Sequence, residues 1–289
     1  MSSDVATEQW TTIITSEKKR FHLGLKELFN YRDLVWLFFK RDFTALYKQT
    51  ILGLAWYIIQ PLFTTIVFSF VFGNLAGLGT ENVPSYLFYL SGIILWRFFA
   101  DSLQKTSNTF LTNANLFGKV YFPRLSAPVS MVMSNIVALG IQLFLFILFY
   151  VYYLFLGMKP SLHWSFALFP VLILHIALLG TGLGLMVTSM TTKYRDLKFL
   201  VTFGLQLWMY ATPIAYPLSE ILEKFPKYIE WLFILNPIAF PIELFRFMLF
   251  KSNSLNWIQG GISIGMTLLF FLWGVASFNR VQQNFMDRI

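Results

Sequence analysis

The chain has 289 residues, of which 56% are hydrophobic, 19% aromatic and only 12% charged, with a mean hydropathy of +0.61. A soluble domain carries about twice that charged fraction, and a water-facing surface this apolar would aggregate, so lipid is the expected solvent. The absence of cysteine excludes a disulfide framework and any thiolate metal site, and the formal charge of +8 sits on residues that flank apolar runs, which points to membrane topology rather than nucleic acid.

The first 16 residues are polar and mixed, with no apolar core of a cleavable leader, so the first apolar span is expected to direct insertion. From about residue 18 to 48 the pattern is amphipathic. Phe21, Leu25, Leu28 and Phe29 share one helical face, and Lys18, Lys19 and Lys26 are placed to reach phosphates. That is the pattern of a helix lying in the interface.

About 20 apolar residues cross the hydrocarbon core as a helix. Residues 49–80 are free of Asp, Glu, Lys and Arg, and their apolar part, 51–72, is the first predicted span. Pro61 after Gln60 removes a backbone donor near its middle and predicts a kink. The second span begins at Tyr86, but Arg97, Asp101, Gln104, Lys105 and Asn108 follow Trp96. One long helix is expected there, with its second half leaving the lipid. Arg97 and Asp101, four apart, are expected to form a self-neutralising pair, with a phosphate or gate contact as the functional alternative. Residues 125–158, 160–192, 199–219 and 252–279 supply spans three to six, with Pro213 and Pro217 breaking the end of the fifth. Residues 220–251 carry mixed charge, Pro226, Pro237 and Pro241, and an apolar run too short to cross, so re-entrant or interfacial helices are predicted.

Orientation follows from Lys and Arg in the short connections. The N-terminal segment, the second-to-third connection (Lys105, Lys119, Arg124), the fourth-to-fifth (Lys193, Arg195, Lys198) and the C-terminus (Arg280, Arg288) are basic. The opposite side has only Lys159 in its two shorter loops, and its long loop balances positive against negative. Both termini are therefore expected in the cytoplasm. The expected fold is an all-α integral membrane protein with six transmembrane helices, an N-terminal interface helix and re-entrant outer gate helices between spans five and six. It divides as 1–50 cytoplasmic N-terminus and interface helix, 51–280 six-span domain and 281–289 cytoplasmic tail.

Several chemistries are missing. There is no G-x-x-x-x-G-K-[ST] phosphate loop, since Gly118-Lys119 is followed by Val120, and no H-E-x-x-H or D-x-D metal motif. Carboxylates are sparse in the apolar spans, where an ion-coupled carrier needs them. Neither an ATPase nor an ion-coupled pump is expected in this chain, so energy for uphill transport must come from another polypeptide. His163 and His175 are isolated from any second ligand, and Gly180-Thr181-Gly182-Leu183-Gly184 inside a span reads as small-residue helix packing. Two connections stand out: residues 113–124 and 193–198 place aromatics among charges, which suits either docking of a partner or anchoring of helix ends.

The string Tyr194-Arg195-Asp196-Leu197 followed by Leu205-Gln206-Leu207-Trp208-Met209-Tyr210-Ala211-Thr212-Pro213-Ile214-Ala215-Tyr216-Pro217 resembles the type-two ABC export permeases for polysaccharides, which include O-antigen, capsule and teichoic acid exporters. Three further stretches are similar: Tyr47 to Gly53 with Trp56 and Gln60-Pro61, Asn113 to Arg124, and Leu235-Asn236-Pro237. The resemblance implies a permease homodimer above two ABC ATPase subunits, which bind ATP and Mg, while this chain needs no cofactor or metal. It implies that Asn115, Phe117, Tyr121 and Arg124, and Tyr194, Arg195 and Asp196, couple to the ATPase. It places a pore beside spans one and five, with Trp56, Tyr57, Gln60, Phe63, Trp208, Met209 and Tyr210 as substrate-channel candidates. Most of the 33 Phe, 13 Tyr and 9 Trp must simply face lipid or pack helices, but aromatic planes can also hold sugar rings weakly at many points. Lys18, Lys19, Arg20 and Arg32 are candidates for lipid-headgroup access, with inner-side anchoring as the plainer reading.

The resulting expectation is a multi-pass permease of the bacterial inner membrane, exporting a lipid-linked polysaccharide, O-antigen foremost, from the cytoplasmic to the outer face. Capsule or teichoic acid export and a drug or small-lipid permease are alternatives of the same class. An integral membrane enzyme acting on lipid-linked sugars is the alternative of a different class.

Overall fold

In the computed structural model of this chain, residues 25–48, 51–117, 119–120, 122–159, 161–191, 194, 196–218, 227–251 and 255–284 are described. Among them there is no strand. The helices are α1 Leu25–Asn30, α2 Arg32–Lys48, α3 Trp56–Phe68, α4 Ser85–Ser107, α5 Thr109–Phe117, α6 Ser126–Phe155, α7 Phe169–Thr191, α8 Leu197–Tyr210, α9 Lys227–Ile234, α10 Ala239–Phe250 and α11 Trp257–Asn284.

Among the described residues, four helical stretches are long and apolar enough to cross a membrane: Gly53–Leu75, Ser126–Phe155, Trp164–Thr191 and Trp257–Gln282. The shortest has 23 residues, about 35 Å at 1.5 Å per residue. They coincide with the charge-free runs of spans one, three, four and six. Two other predicted spans differ from this pattern. The 23-residue α4 is long enough but carries Arg97, Asp101 and Lys105, and the 14-residue α8 reaches only about 21 Å.

The first stretch is irregular for identifiable reasons. A 3-10 turn, Gly53–Ala55, precedes α3, Pro61 lies inside it, and Ser69–Leu75 continues as π-helix. Pro61 has no N–H to donate. The Thr64 hydroxyl donates to the Gln60 carbonyl at 2.8 Å, so that oxygen keeps a partner beside the proline.

The bundle is organised around α4, which packs on α3, α6, α7, α8 and α10. Phe88, Ile94, Leu95 and Phe99 of α4 are fully enclosed. The second half of α4 stays inside the bundle. Ser102, Leu103, Thr106 and Ser107 are buried by protein, so its polar groups are enclosed rather than solvated. Helix α7 lies between α4 and α11, and small residues set the spacing on both sides. A Cβ at Gly180 would lie 2.9 Å from the Phe99 carbonyl, and one at Gly184 would lie 2.6 Å from Thr106 of α4. A Cβ at Gly182 would lie 2.6 Å from Phe271 Cα of α11, where Gly274 faces Gly182 in return. The Gly-x-Gly-x-Gly string thus works as helix packing, as its position inside a span implied.

Helix α2 packs along α6 and buries Val35 and Phe38. Of the predicted stripe, Leu28 of α1 is half-buried and Phe29 exposed. Phe21 lies outside the described residues, as does the side chain of Leu25. The end carrying α2, α5 and the α7–α8 turn is called the near end here, and the end carrying α9 and α10 the far end. Helices α9 and α10 have 8 and 12 residues, too few to cross a bilayer.

Candidate functional site

At the far end, helix α8 stops at Tyr210 and the chain turns through Ala211 to Ile214, leaving carbonyls that a continuing helix would have used. Arg246 of α10 takes two of them. Its side chain is wholly buried. Nη1 donates to the Pro213 carbonyl at 2.7 Å and to Glu243 Oε1 at 3.1 Å. Nη2 donates to the carbonyls of Ile214 at 3.0 Å and Phe88 at 3.3 Å, and Nε to the Ser91 hydroxyl at 3.3 Å. The guanidinium also lies 3.6 Å from the centroid of the Phe88 ring. Asn236 does the complementary work at the α9–α10 break. Its Nδ2 donates to the Ala211 carbonyl (3.2 Å) and Thr212 Oγ1 (3.0 Å), while its Oδ1 accepts from Trp208 Nε1 at 3.1 Å. The broken end of α8 is thereby clamped to α4 and α10 by two side chains.

Along the middle of the molecule, α3 and α8 both border α4 and present exposed aromatic and aliphatic groups. On α3 these are Trp56 and Phe63, with Phe70 on the π-helical continuation, and on α8 they are Phe203, Leu207 and Tyr210. Between them α4 offers a polar stripe, Arg97, Asp101, Gln104 and Asn108, at the i, i+4, i+7, i+11 spacing of one helix face. Arg97 Nη2 donates to Gln60 Oε1 of α3, and Gln104 Nε2 donates to Thr202 Oγ1 of α8 at 3.0 Å. The predicted Arg97–Asp101 pair does not form, because Arg97 reaches across to Gln60 instead.

Of the channel candidates, Trp56, Gln60, Phe63 and Tyr210 are exposed on this face, and Tyr57 and Met209 are half-buried. Trp208 turns inward, its ring 5.2 Å from Phe99 and 6.1 Å from Trp96, and its indole is fixed by Asn236. Arg97 and Asp101 stood out in the sequence as a pair or as a phosphate or gate contact, but Gln104 and Asn108 were not joined to them, although the helical spacing of all four is visible there.

At the near end, Phe117 is buried in a ring cluster, 5.7 Å from Phe110 and 5.6 Å from Phe122, and Phe110 stacks on Phe278 of α11 at 4.7 Å. Arg124 sits 5.6 Å from the centre of the Phe117 ring, and its Nη1 donates to the Gln282 carbonyl at 2.6 Å. These residues tie the 113–124 connection to α11. Among the described residues, the connection and the α7–α8 turn leave Lys119, Val120, Tyr194 and Asp196 outward. Asn115 lies on α5, with its side chain outside the described residues, as are Tyr121 and Arg195. Of the headgroup candidates, Arg32 is exposed on α2, 5.5 Å from the Phe29 ring, whereas Lys18, Lys19 and Arg20 lie outside the described residues.

His163 caps the turn before α7 by accepting from the Ser165 backbone at 3.2 Å, and His175 Nε2 is 2.9 Å from Thr267 Oγ1. No group of three or more His, Cys, Asp or Glu able to hold a metal occurs among the described residues.

The sequence model of the family described as "ABC-2 type transporter" matches residues 33–250. An O-antigen export system permease protein, RfbA, from Klebsiella pneumoniae is 29% identical over 274 residues, covering 94% of this chain and 99% of that one. A protein of the same description from Myxococcus xanthus is 26% identical, covering 92% and 98%. The polysialic acid transport protein KpsM of Escherichia coli is 19% identical, covering 81% and 86%.

Proposed function

The chain belongs to the ABC-2 type transporter family, and on that premise we propose that it is the membrane subunit of an ATP-driven exporter of lipid-linked polysaccharide, O-antigen foremost. Its similarity to O-antigen export permeases along nearly their whole length supports that substrate class. The observation that carries the reading is the α3–α4–α8 face, where an otherwise apolar bundle presents a polar floor between exposed aromatic walls.

In this reading α4 and α8 complete six spans. The floor of α4 is shielded from lipid when a second copy closes over the face, and α9 and α10 form the re-entrant outer gate. Both termini lie in the cytoplasm of a bacterial cell, beneath the inner membrane. A homodimer of this chain stands above two ATP-binding subunits, which hold ATP and Mg, and the chain itself catalyses nothing.

The transport chemistry is weak, repeated binding. Sugar hydroxyls exchange hydrogen bonds with Gln60, Arg97 and Gln104, and sugar faces lie on Trp56, Tyr57, Phe63, Met209 and Tyr210. Each contact contributes about 1 kcal/mol, enough to replace water and too little to stall a sliding chain. Trp208 supports the wall from behind. Arg32, with Lys18, Lys19 and Arg20, offers positive charge to the phosphates of the lipid anchor.

Coupling enters at the near end. Tyr194 and Asp196, with Arg195, and Asn115 and Tyr121 meet the ATPase. Phe117 and Arg124 pass the displacement to α11 through their packing, so helices shift as rigid bodies.

The experiment is to disrupt the gene in its host and locate the polymer. The reading expects undelivered polymer in the cytoplasm and an unmodified surface. Normal surface polymer contradicts it. The similarity to the polysialic acid transport protein keeps capsule export as the second reading, distinguished by which polymer is lost.

A further inference from the structure

Under α2, near the near end, lies an open polar chamber of about 450 Å³. Its walls are Arg41, Asp42 and Ala45 of α2, Asp101, Gln104 and Lys105 of α4, Asn108 and Thr112 beyond it, and Met131 and Ser134 of α6. Roughly fifteen water volumes fit into that space.

The groups in it are only partly satisfied. Arg41 Nε donates to Asp42 Oδ1 at 2.8 Å and its Nη2 to Asn113 Oδ1 at 3.2 Å, while Nη1 has no partner among the described contacts. Lys105 Nζ donates to Asn135 Oδ1 at 2.5 Å, which uses one of three ammonium protons. Asp101 lines the chamber, feels Lys105 and Arg97 through space, and accepts no hydrogen bond from any described residue. Asp101 is only partly exposed, and a half-buried carboxylate without a protein donor is one that a fitting ligand can satisfy.

Charge selects the ligand. The lining carries two cations, Arg41 and Lys105, and two carboxylates, Asp42 and Asp101. A doubly charged phosphate or diphosphate would leave two uncompensated negative charges in a space walled by protein, which is costly. A ligand with one ammonium and one phosphate diester leaves none. Its ammonium fits Asp101, the carboxylate lacking a donor, and its phosphate fits the spare donors of Lys105 and Arg41. The roof of the chamber is α2, which carries Arg32, Lys40, Arg41 and Lys48 and packs along α6, the charge pattern of a helix that meets lipid headgroups.

We infer that this chamber binds the headgroup of an ethanolamine phospholipid, with Asp101 reading the ammonium. The inference rests on membrane insertion of the chain and not on which polymer is carried, so its failure leaves the transport reading standing, and failure of the transport reading leaves it standing in turn.

The test is native mass spectrometry of the full-length chain, released from detergent, with phosphatidylethanolamine, phosphatidylcholine and phosphatidylglycerol added in turn. Phosphatidylethanolamine is expected to bind at least about tenfold more tightly than phosphatidylcholine, whose trimethylammonium cannot donate, and Asp101→Asn should remove most of that preference. A measurement without substitution guards against misfolding of the variant. Vesicles containing phosphatidylethanolamine with a photoreactive headgroup should label peptides spanning 41–45 and 101–112 of the unaltered chain more than vesicles of the corresponding phosphatidylglycerol probe. Equal binding of the three lipids, preference for phosphatidylglycerol, or labelling that avoids these peptides would overturn the inference. So would displacement of bound lipid by millimolar free O-phosphoethanolamine, which would assign the chamber to a soluble ligand.

Discussion

The two halves of α4 place polar side chains inside an apolar bundle in opposite ways. In the far half, Ser91 meets Arg246, whose guanidinium is wholly buried and donates five hydrogen bonds within one tight cluster. In the near half, Arg97, Asp101, Gln104 and Lys105 are partly exposed to a groove and a chamber, and each has one hydrogen-bond partner or none. Closed networks rigidify; loosely satisfied ones are free to exchange partners with a passing ligand. The comparison teaches that polarity within an apolar bundle has two uses, and that the number of satisfied donors and acceptors tells them apart.

The largest effect should come from opening the closed half. Arg246→Met leaves Glu243 buried without its cation and the Pro213 and Ile214 carbonyls without donors, a loss of about 3–5 kcal/mol. Thermal unfolding in detergent should show it, as should reduced accumulation of the protein in membranes. Arg246→Lys keeps the charge but not the fork, and should recover only part of the loss. If Arg246→Met were as stable as the parent, the cluster would not be a latch.

Next is the packing that holds α7 against α11. Gly182→Ala puts a methyl group 2.6 Å from Phe271 Cα and should cost about 1–3 kcal/mol in the same unfolding assay. Gly140→Ala on α6, whose Cβ meets nothing within 4 Å, should leave the unfolding temperature unchanged or slightly raised.

The open half should respond in the reverse manner, with small stability changes and larger changes in transport. Arg97→Gln should shift stability by about 1 kcal/mol or less, since a single side-chain hydrogen bond is lost. Polymer delivery should nevertheless fall severalfold in cells carrying the variant. The smallest stability effect belongs to the exposed walls. Trp56→Ala and Phe63→Ala should change stability by no more than about 0.5 kcal/mol. Each should slow export by about two- to tenfold, the loss of one ring contact of 0.5–1.5 kcal/mol. Walls that serve only as lipid contacts would leave export unchanged.

Much of the frame was legible because lipid imposes a simple rule on sequence. Charge-free runs located Gly53–Leu75, Ser126–Phe155, Trp164–Thr191 and Trp257–Gln282 to within a few residues, since any long apolar stretch must be helical and deep. The glycine string was read correctly as well, because interhelical spacing leaves a local signature. What stayed hidden was pairing across distance. Glu243 and Arg246 looked like balanced loop charges, because spacing shows that they can meet each other and shows nothing of carbonyls 32 and 33 residues away. Arg97 and Asp101 were matched by their i, i+4 spacing, yet Gln60, 37 residues earlier, took the arginine. Phe117 looked like an outward knob because loop aromatics usually are, and only the meeting of α5 with α11 buries it. The α4 stripe was within reach of helical periodicity, but reading that half of α4 as leaving the lipid removed the reason to ask what its polar face meets.

The central claim is that the α3–α4–α8 face is closed by a second copy of the chain. Because the sequence has no cysteine, every introduced thiol reports alone. Membranes holding the chain with Phe63→Cys on α3 and Leu207→Cys on α8 should give a disulfide-linked dimer on mild oxidation. Ile264→Cys on the exposed side of α11 should remain monomeric. Dimers formed through Ile264→Cys, with none through the α3 and α8 positions, would contradict the account and move the conduit to another face.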